Sequence, residues 1–101
     1  MAELTNVAFF KAKHGRSKAL GTALLALVSP TQREAGNLRY EIYQSKDAPD
    51  EWIVVEDWRH HSDFDEHMKT TYVREFLTKA ADLCVNEIEI QKFQRRFPAN
   101  G

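Results

Sequence analysis

The sequence predicts an α+β fold of the ferredoxin-like order β-α-β-β-α-β, an antiparallel sheet with helices on one face. Three observations predict it. Residues 16–28 place Leu20, Ala23, Leu24, Leu27 and Val28 at helical spacing. Residues 38–44 and 85–97 alternate apolar and polar side chains, as half-buried strands do. Between two strand-like runs, the stretch Lys46-Asp47-Ala48-Pro49-Asp50 has the chemistry of a hairpin loop. With 101 residues and no internal linker or repeat, residues 1–101 read as a single domain.

The elements follow in order. Residues 5–13, rich in β-branched and aromatic side chains, form strand one, which Gly15 breaks. The stripe of residues 16–28 forms the first helix, and Pro30 ends it nearby. Glu34-Ala35-Gly36-Asn37 is a turn in which Gly36 is a candidate for positive φ. In strand two, Leu38, Tyr40 and Ile42 share one face, and Arg39, Glu41 and Tyr43 the other. Strand three covers 51–58. Ser62 can cap the second helix, with Asp63, Asp65 and Glu66 favourable near its positive end. Phe64, His67 and Met68 share a face of it, Thr70-Thr71 weaken it, and Val73, Phe76, Leu77 and Ala80 continue the apolar stripe. Residues 85–97 form a long last strand.

Two helices cover only one face of four strands, so the other should be polar. It is not. Strand one carries Val7 and Phe9 opposite Ala8, Phe10 and Ala12, and strand three carries Ile53 and Val55 opposite Trp52, Val54 and Trp58. A second copy of the same sheet is the simplest cover, which predicts a homodimer with strand-four side chains such as Phe93 in the interface. The formal net charge of −1 gives no basic footprint for nucleic acid or an anionic membrane. The longest mainly apolar run, residues 19–28, is too short to span a bilayer. The first residues, with Glu3 among them, do not read as a signal peptide. A lone Cys84 between Leu83 and Val85 reads as a buried, inert thiol and fits a cytoplasmic location.

His67 is the sharpest candidate for chemistry, because imidazole suits proton transfer near neutral pH. On this apolar face it is either a working acid–base group or a core histidine bonded to a carbonyl or carboxylate. Glu56, between Val54 and Trp58, is an inward carboxylate that needs a partner. It could orient His67, bind a substrate hydroxyl, or pair with Arg39 or Arg59. Tyr40, Tyr43, Trp52, Trp58 and Tyr72 could form a pocket for a flat ligand or simply fill the core. His60-His61 lack a third ligand at metal-binding spacing, so no metal site is expected. No GxGxxG, P-loop or GxSxG motif is present.

Three pieces carry a resemblance to a known family: Thr31-x-x-Glu34-x-Gly36-Asn37-x-x-Tyr40, then Glu56-x-Trp58, then Asp65-Glu66-His67 with Lys69-Thr70-Thr71. In this order they resemble the antibiotic biosynthesis monooxygenase (ABM) domains. The similarity is greatest to quinol monooxygenases and to an isomerase of a phosphorylated autoinducer. The resemblance implies a dimeric α+β barrel with a pocket between sheet and helices in each subunit. It implies oxidation of a small aromatic or quinol-like molecule by dioxygen, with no metal or cofactor. His67 is then the candidate catalytic residue, and Tyr40, Glu56, Trp58, Phe64 and Tyr72 the candidate substrate-binding residues. The positions that haem-degrading members fill with asparagine and tryptophan align with Ala8 and His67, so haem is not implied. An isomerase would need Arg39, Lys69 and Arg74 at the pocket mouth for phosphate. A non-catalytic, stress-related ligand-binding domain is the remaining alternative.

Overall fold

The computed structural model describes residues 2–98. Strands β1 (Leu4–Lys11), β2 (Asn37–Gln44), β3 (Glu51–Trp58) and β4 (Glu89–Phe93) form one sheet in the order β2-β3-β1-β4. Every neighbouring pair is antiparallel. This is the ferredoxin-like arrangement, with each expected helix divided in two: α1 (Ser17–Leu25) and α2 (Val28–Gln32), then α3 (His61–His67) and α4 (Thr71–Leu83).

Both divisions have local causes, and both place candidate site side chains. Pro30 does not end the first helix; it lies inside α2. It occupies the first turn, where a backbone N–H has no intrahelical partner to lose. The second division falls at Thr70, whose backbone is extended. Its hydroxyl donates to the His67 carbonyl at 2.7 Å and accepts from the Val73 N–H at 3.4 Å. One side chain therefore closes α3 on His67 and caps α4. The start of α3 also differs from expectation. His60, not Ser62, is the N-cap, and its N–H donates to Asp63 Oδ2 at 3.1 Å.

The inner face of the sheet packs on the helices. Leu4, Asn6, Ala8 and Phe10 of β1 are buried, while Phe9 is half-exposed. Phe10 meets Phe76 of α4 edge to face, with ring centroids 5.7 Å apart. On the outer face Val7 lies opposite Val55 and Phe9 opposite Ile53. Beside this apolar strip, Asp57 is held by the Thr5 hydroxyl at 2.5 Å and by Arg39 Nε at 3.0 Å. No helix among the described residues is long and apolar enough to cross a membrane.

Two strands depart from the alternation. The β2–β3 register shifts between Asn37 and Arg39, so Leu38 drops out of the pairing and stands half-exposed instead of facing inward. The last strand covers five residues, not residues 85–97. Among the described residues its one neighbour is β1, and pairing stops at Thr5 opposite Phe93, close to where β1 begins.

Gly15, not Gly36, holds the positive φ, at 77°. Gly36 is required for space: a Cβ there would collide with the Cβ and carboxyl of Asp63. Gly36→Ala should displace Asp63, break its bond to His60, and destabilise the fold by about 1–3 kcal/mol. Thermal or urea unfolding of that variant is the measurement; an unchanged midpoint would mean that Asp63 swings away without consequence.

Candidate active site

His67 is the last residue of α3, 3% exposed, with its carbonyl held by Thr70. Its Nδ1 lies 2.7 Å from Glu34 Oε2. Glu34 follows the short helix α2, and the Tyr72 hydroxyl donates to the same carboxylate oxygen. With Glu34 as a carboxylate, Nδ1 is the donor, and the lone pair of the neutral ring sits on Nε2. Nε2 has no hydrogen-bond partner among the described residues. The ring is enclosed by aromatics: Trp58 at 4.8 Å between centroids, Tyr40 at 6.0 Å, Phe64 at 6.3 Å and Tyr72 at 6.4 Å.

Glu56 is the second polar centre. It projects from the inner face of β3 and is 5% exposed. Neither Arg39 nor Arg59 is its partner. Its Oε1 accepts from Trp58 Nε1 at 2.6 Å and from Asn6 Nδ2 at 3.5 Å, while Oε2 makes no hydrogen bond among the described residues. Burial pushes the Glu56 carboxyl above its ordinary range, against the opposing pulls of the Trp58 hydrogen bond and of the positive charge that His67 carries when protonated. Tyr40, directly across from Glu56 in β2, is likewise raised, by burial first and by the nearby Glu56 charge second. Tyr72 is pushed up to about 12 by burial and by the hydrogen bond it donates to Glu34.

His67 and Glu56 line the same cavity, of about 40 Å³, between the sheet and the helices. Tyr40 and Phe64 also line it, and the rest of the wall is apolar, including Ala8, Val54, Met68, Leu77 and Ile88. A water needs roughly 10–15 Å³ on this measure, so the space is that of a few small molecules.

Four of the six residues singled out in the sequence thus meet at one cavity. The other two, Trp58 and Tyr72, stand behind it: Trp58 is fully buried against the His67 ring, and Tyr72 reaches Glu34. Tyr43 and Trp52 lie elsewhere. Tyr43 is half-exposed and bonded to Glu41, and Trp52 packs on Gly21 with its indole N–H on Ser17 Oγ at 2.9 Å. Arg39 is bound to Asp57 on the opposite face, and neither Lys69 nor Arg74 lines the cavity, so the three cations do not gather at its mouth. His61 is paired with Glu3 at 2.7 Å. No group of three or more His, Cys, Asp or Glu side chains among the described residues is placed to hold a metal ion. Cys84 is buried, and burial raises its thiol.

The sequence pattern of the antibiotic biosynthesis monooxygenase family matches residues 4–79. The chain belongs to that family. All three motif pieces fall inside the matched span, as do both polar centres of the cavity. Among solved structures, this ABM chain is similar to a protein from Pseudomonas aeruginosa. The two are 29% identical, with 95% of this chain and 96% of the other covered and a TM-score of 0.89. A protein from Shewanella oneidensis is also 29% identical, with 93% and 91% covered and a TM-score of 0.88. An uncharacterized protein from Synechocystis is 28% identical over 67 residues, which make up 66% of this chain but only 46% of that relative. The ABM chain thus spans about half the length of its curated relative.

Glu34 and Asn6 are the polar side chains whose roles the sequence left unassigned. Glu34 stands in a motif piece yet reads there as turn chemistry, because nothing local links it to a histidine 33 residues away. Asn6 lies in an apolar strand directly opposite Glu56, a pairing that only the sheet register reveals.

Proposed function

We propose that this protein is a cofactor-independent monooxygenase, with His67 as the base that activates a small phenol or quinol toward dioxygen. The observation that carries this reading is the hydrogen bond from His67 Nδ1 to Glu34, which leaves Nε2 unpartnered on an imidazole that lines an apolar cavity. A phenol becomes a far better electron donor once deprotonated, and a water-poor cavity favours the transfer of its proton to a fixed acceptor. The balanced reaction takes a phenol and one dioxygen to a quinone and one water, the substrate supplying all four electrons. Tyr40, Glu56 and Phe64 are then the substrate contacts. Trp58 and Tyr72 hold the imidazole from behind.

Oxygen uptake tests this. A panel of substituted phenols and hydroquinones should include members that drive consumption and yield the corresponding quinones. Absence of uptake across the panel above the rate without protein would sink the reading.

The apolar outer strip is proposed as the contact surface of a homodimer, with Phe9 and Phe93, half-exposed here, becoming covered. Sedimentation at micromolar concentration should give twice the chain mass, and Phe9→Glu should lower it to that of a single chain. A stable wild-type monomer would overturn the assembly.

A further inference from the structure

We propose that Glu56 is a second catalytic residue, a neutral carboxylic acid whose Oε2–H protonates the oxygen as it is reduced. The inference rests on the monooxygenase reading and deepens it. Its first support is geometric. Glu56 Oε1 already accepts from two N–H donors, Trp58 Nε1 at 2.6 Å and Asn6 Nδ2 at 3.5 Å. An oxygen receiving two donors is a poor seat for a proton, so the acid's proton belongs on Oε2. Oε2 has no hydrogen-bond partner among the described residues, and Glu56 lines the cavity. The second support is chemical. The cavity holds one group poised to accept a proton, His67 Nε2, and one poised to donate, with each state set by separate partners. The groups facing Glu56 are Trp58 on its own strand, Asn6 of β1, Tyr40 of β2, His67 of α3 and, by its charge, Glu34. Burial outweighs the rest and favours the neutral acid.

The two groups form a closed cycle. His67 takes the phenolic proton. The phenolate passes an electron pair to dioxygen as a ring carbon, one bearing hydrogen and conjugated to the oxygen, bonds to it. Glu56 gives its proton to the distal oxygen, leaving a dienone hydroperoxide and a carboxylate. Glu56 then removes the hydrogen from that carbon as a proton. The C–H electron pair becomes the second C–O bond of the new carbonyl, and the O–O bond breaks. The departing hydroxide takes the proton from His67 and leaves as water. One phenol and one dioxygen have become one quinone and one water, and both side chains are back in their starting states. Without Glu56's proton the peroxide stays an anion, and its C–O bond reopens to a phenoxyl radical and superoxide, which disproportionates to hydrogen peroxide and dioxygen before any O–O bond breaks on the ring.

The test is Glu56→Gln, which keeps an oxygen for Trp58 and an N–H toward the cavity but cannot transfer a proton. With a substrate that the wild type oxidises, quinone formation should fall by about 10²-fold or more. A larger share of the consumed oxygen should appear as hydrogen peroxide, and the variant's loss of the alkaline pH limb separates this from mere loosening of the core. The wild-type rate should fall as pH rises through the elevated range in which Glu56 ionises, and the variant should lack that limb. The pH limb also tests the idea on unaltered protein should the variant fail to fold. A Glu56→Gln protein that is as fast and as tightly coupled as the wild type would overturn the proposal while leaving His67's role intact. So would a wild-type rate with no alkaline limb. Wild-type protein that consumes no oxygen with any substrate would remove both readings.

Discussion

His67→Ala is expected to lower turnover by about 10²–10⁴-fold while preserving the fold, the usual worth of a positioned general base. The side chain is buried, so the variant also loses stability: Glu34 loses the ring N–H from which it accepts and keeps only the Tyr72 hydroxyl, at about 1–3 kcal/mol. The two effects separate when the rate is expressed per folded molecule, with melting temperature measured in parallel. A destabilised variant with full turnover per folded molecule would reduce His67 to a core residue. His67→Gln is the stricter control, because it keeps some hydrogen bonding but accepts no proton near neutral pH. Activity surviving in that variant would mean that His67 only positions its neighbours.

Glu34→Gln should be nearly as damaging, lowering turnover by about 10²–10⁴-fold through the tautomer of His67 rather than through lost contact with substrate. A glutamine amide can donate to Nδ1, which moves the ring proton to Nε2, the nitrogen that accepts in the proposed chemistry. Nitrogen-15 spectra of the imidazole should then show the proton on Nε2 in the variant and on Nδ1 in the wild type. Unchanged spectra together with unchanged turnover would show that Glu34 and Tyr72 serve the packing of α2 against α4 and nothing more.

The element order was legible because residues 38–44 and 85–97 alternate, the other two strands are runs rich in β-branched and aromatic side chains, and the hairpin between β2 and β3 has unambiguous loop chemistry. What the pattern hid was the break between α1 and α2 and the full depth of the second, where Thr70-Thr71 reads as a weak point in one helix and not as the gap between two. Pro30 inside α2 and Thr70 between α3 and α4 each depend on a single side chain, and apolar periodicity runs across both breaks without interruption. The site was half legible for a related reason. His67 and Glu56 stand out as polar residues on apolar faces. Glu34 sits in an exposed-looking turn, and its bond to His67 exists only because α2 carries the chain back toward α3. Three motif pieces that are individually weak converge here: Glu34 and Tyr40 from the first, Glu56 and Trp58 from the second, and His67 from the third all lie on or against one cavity.

The size of that cavity has a kinetic consequence. Space for a few waters accommodates dioxygen but not an aromatic ring, so a ring enters only as half-buried side chains such as Met68, Leu77 and Ile88 swing aside. Binding is then a two-step event. Stopped-flow traces would show an observed rate that levels off with ligand concentration, the plateau reporting the opening motion, and association slower than diffusion allows. Trimming Ile88 to alanine would raise the plateau. On the proposed chemistry, the same bulk that slows entry would hold the interior closed around a bound ring, giving slow admission and protection of a reactive intermediate a common origin.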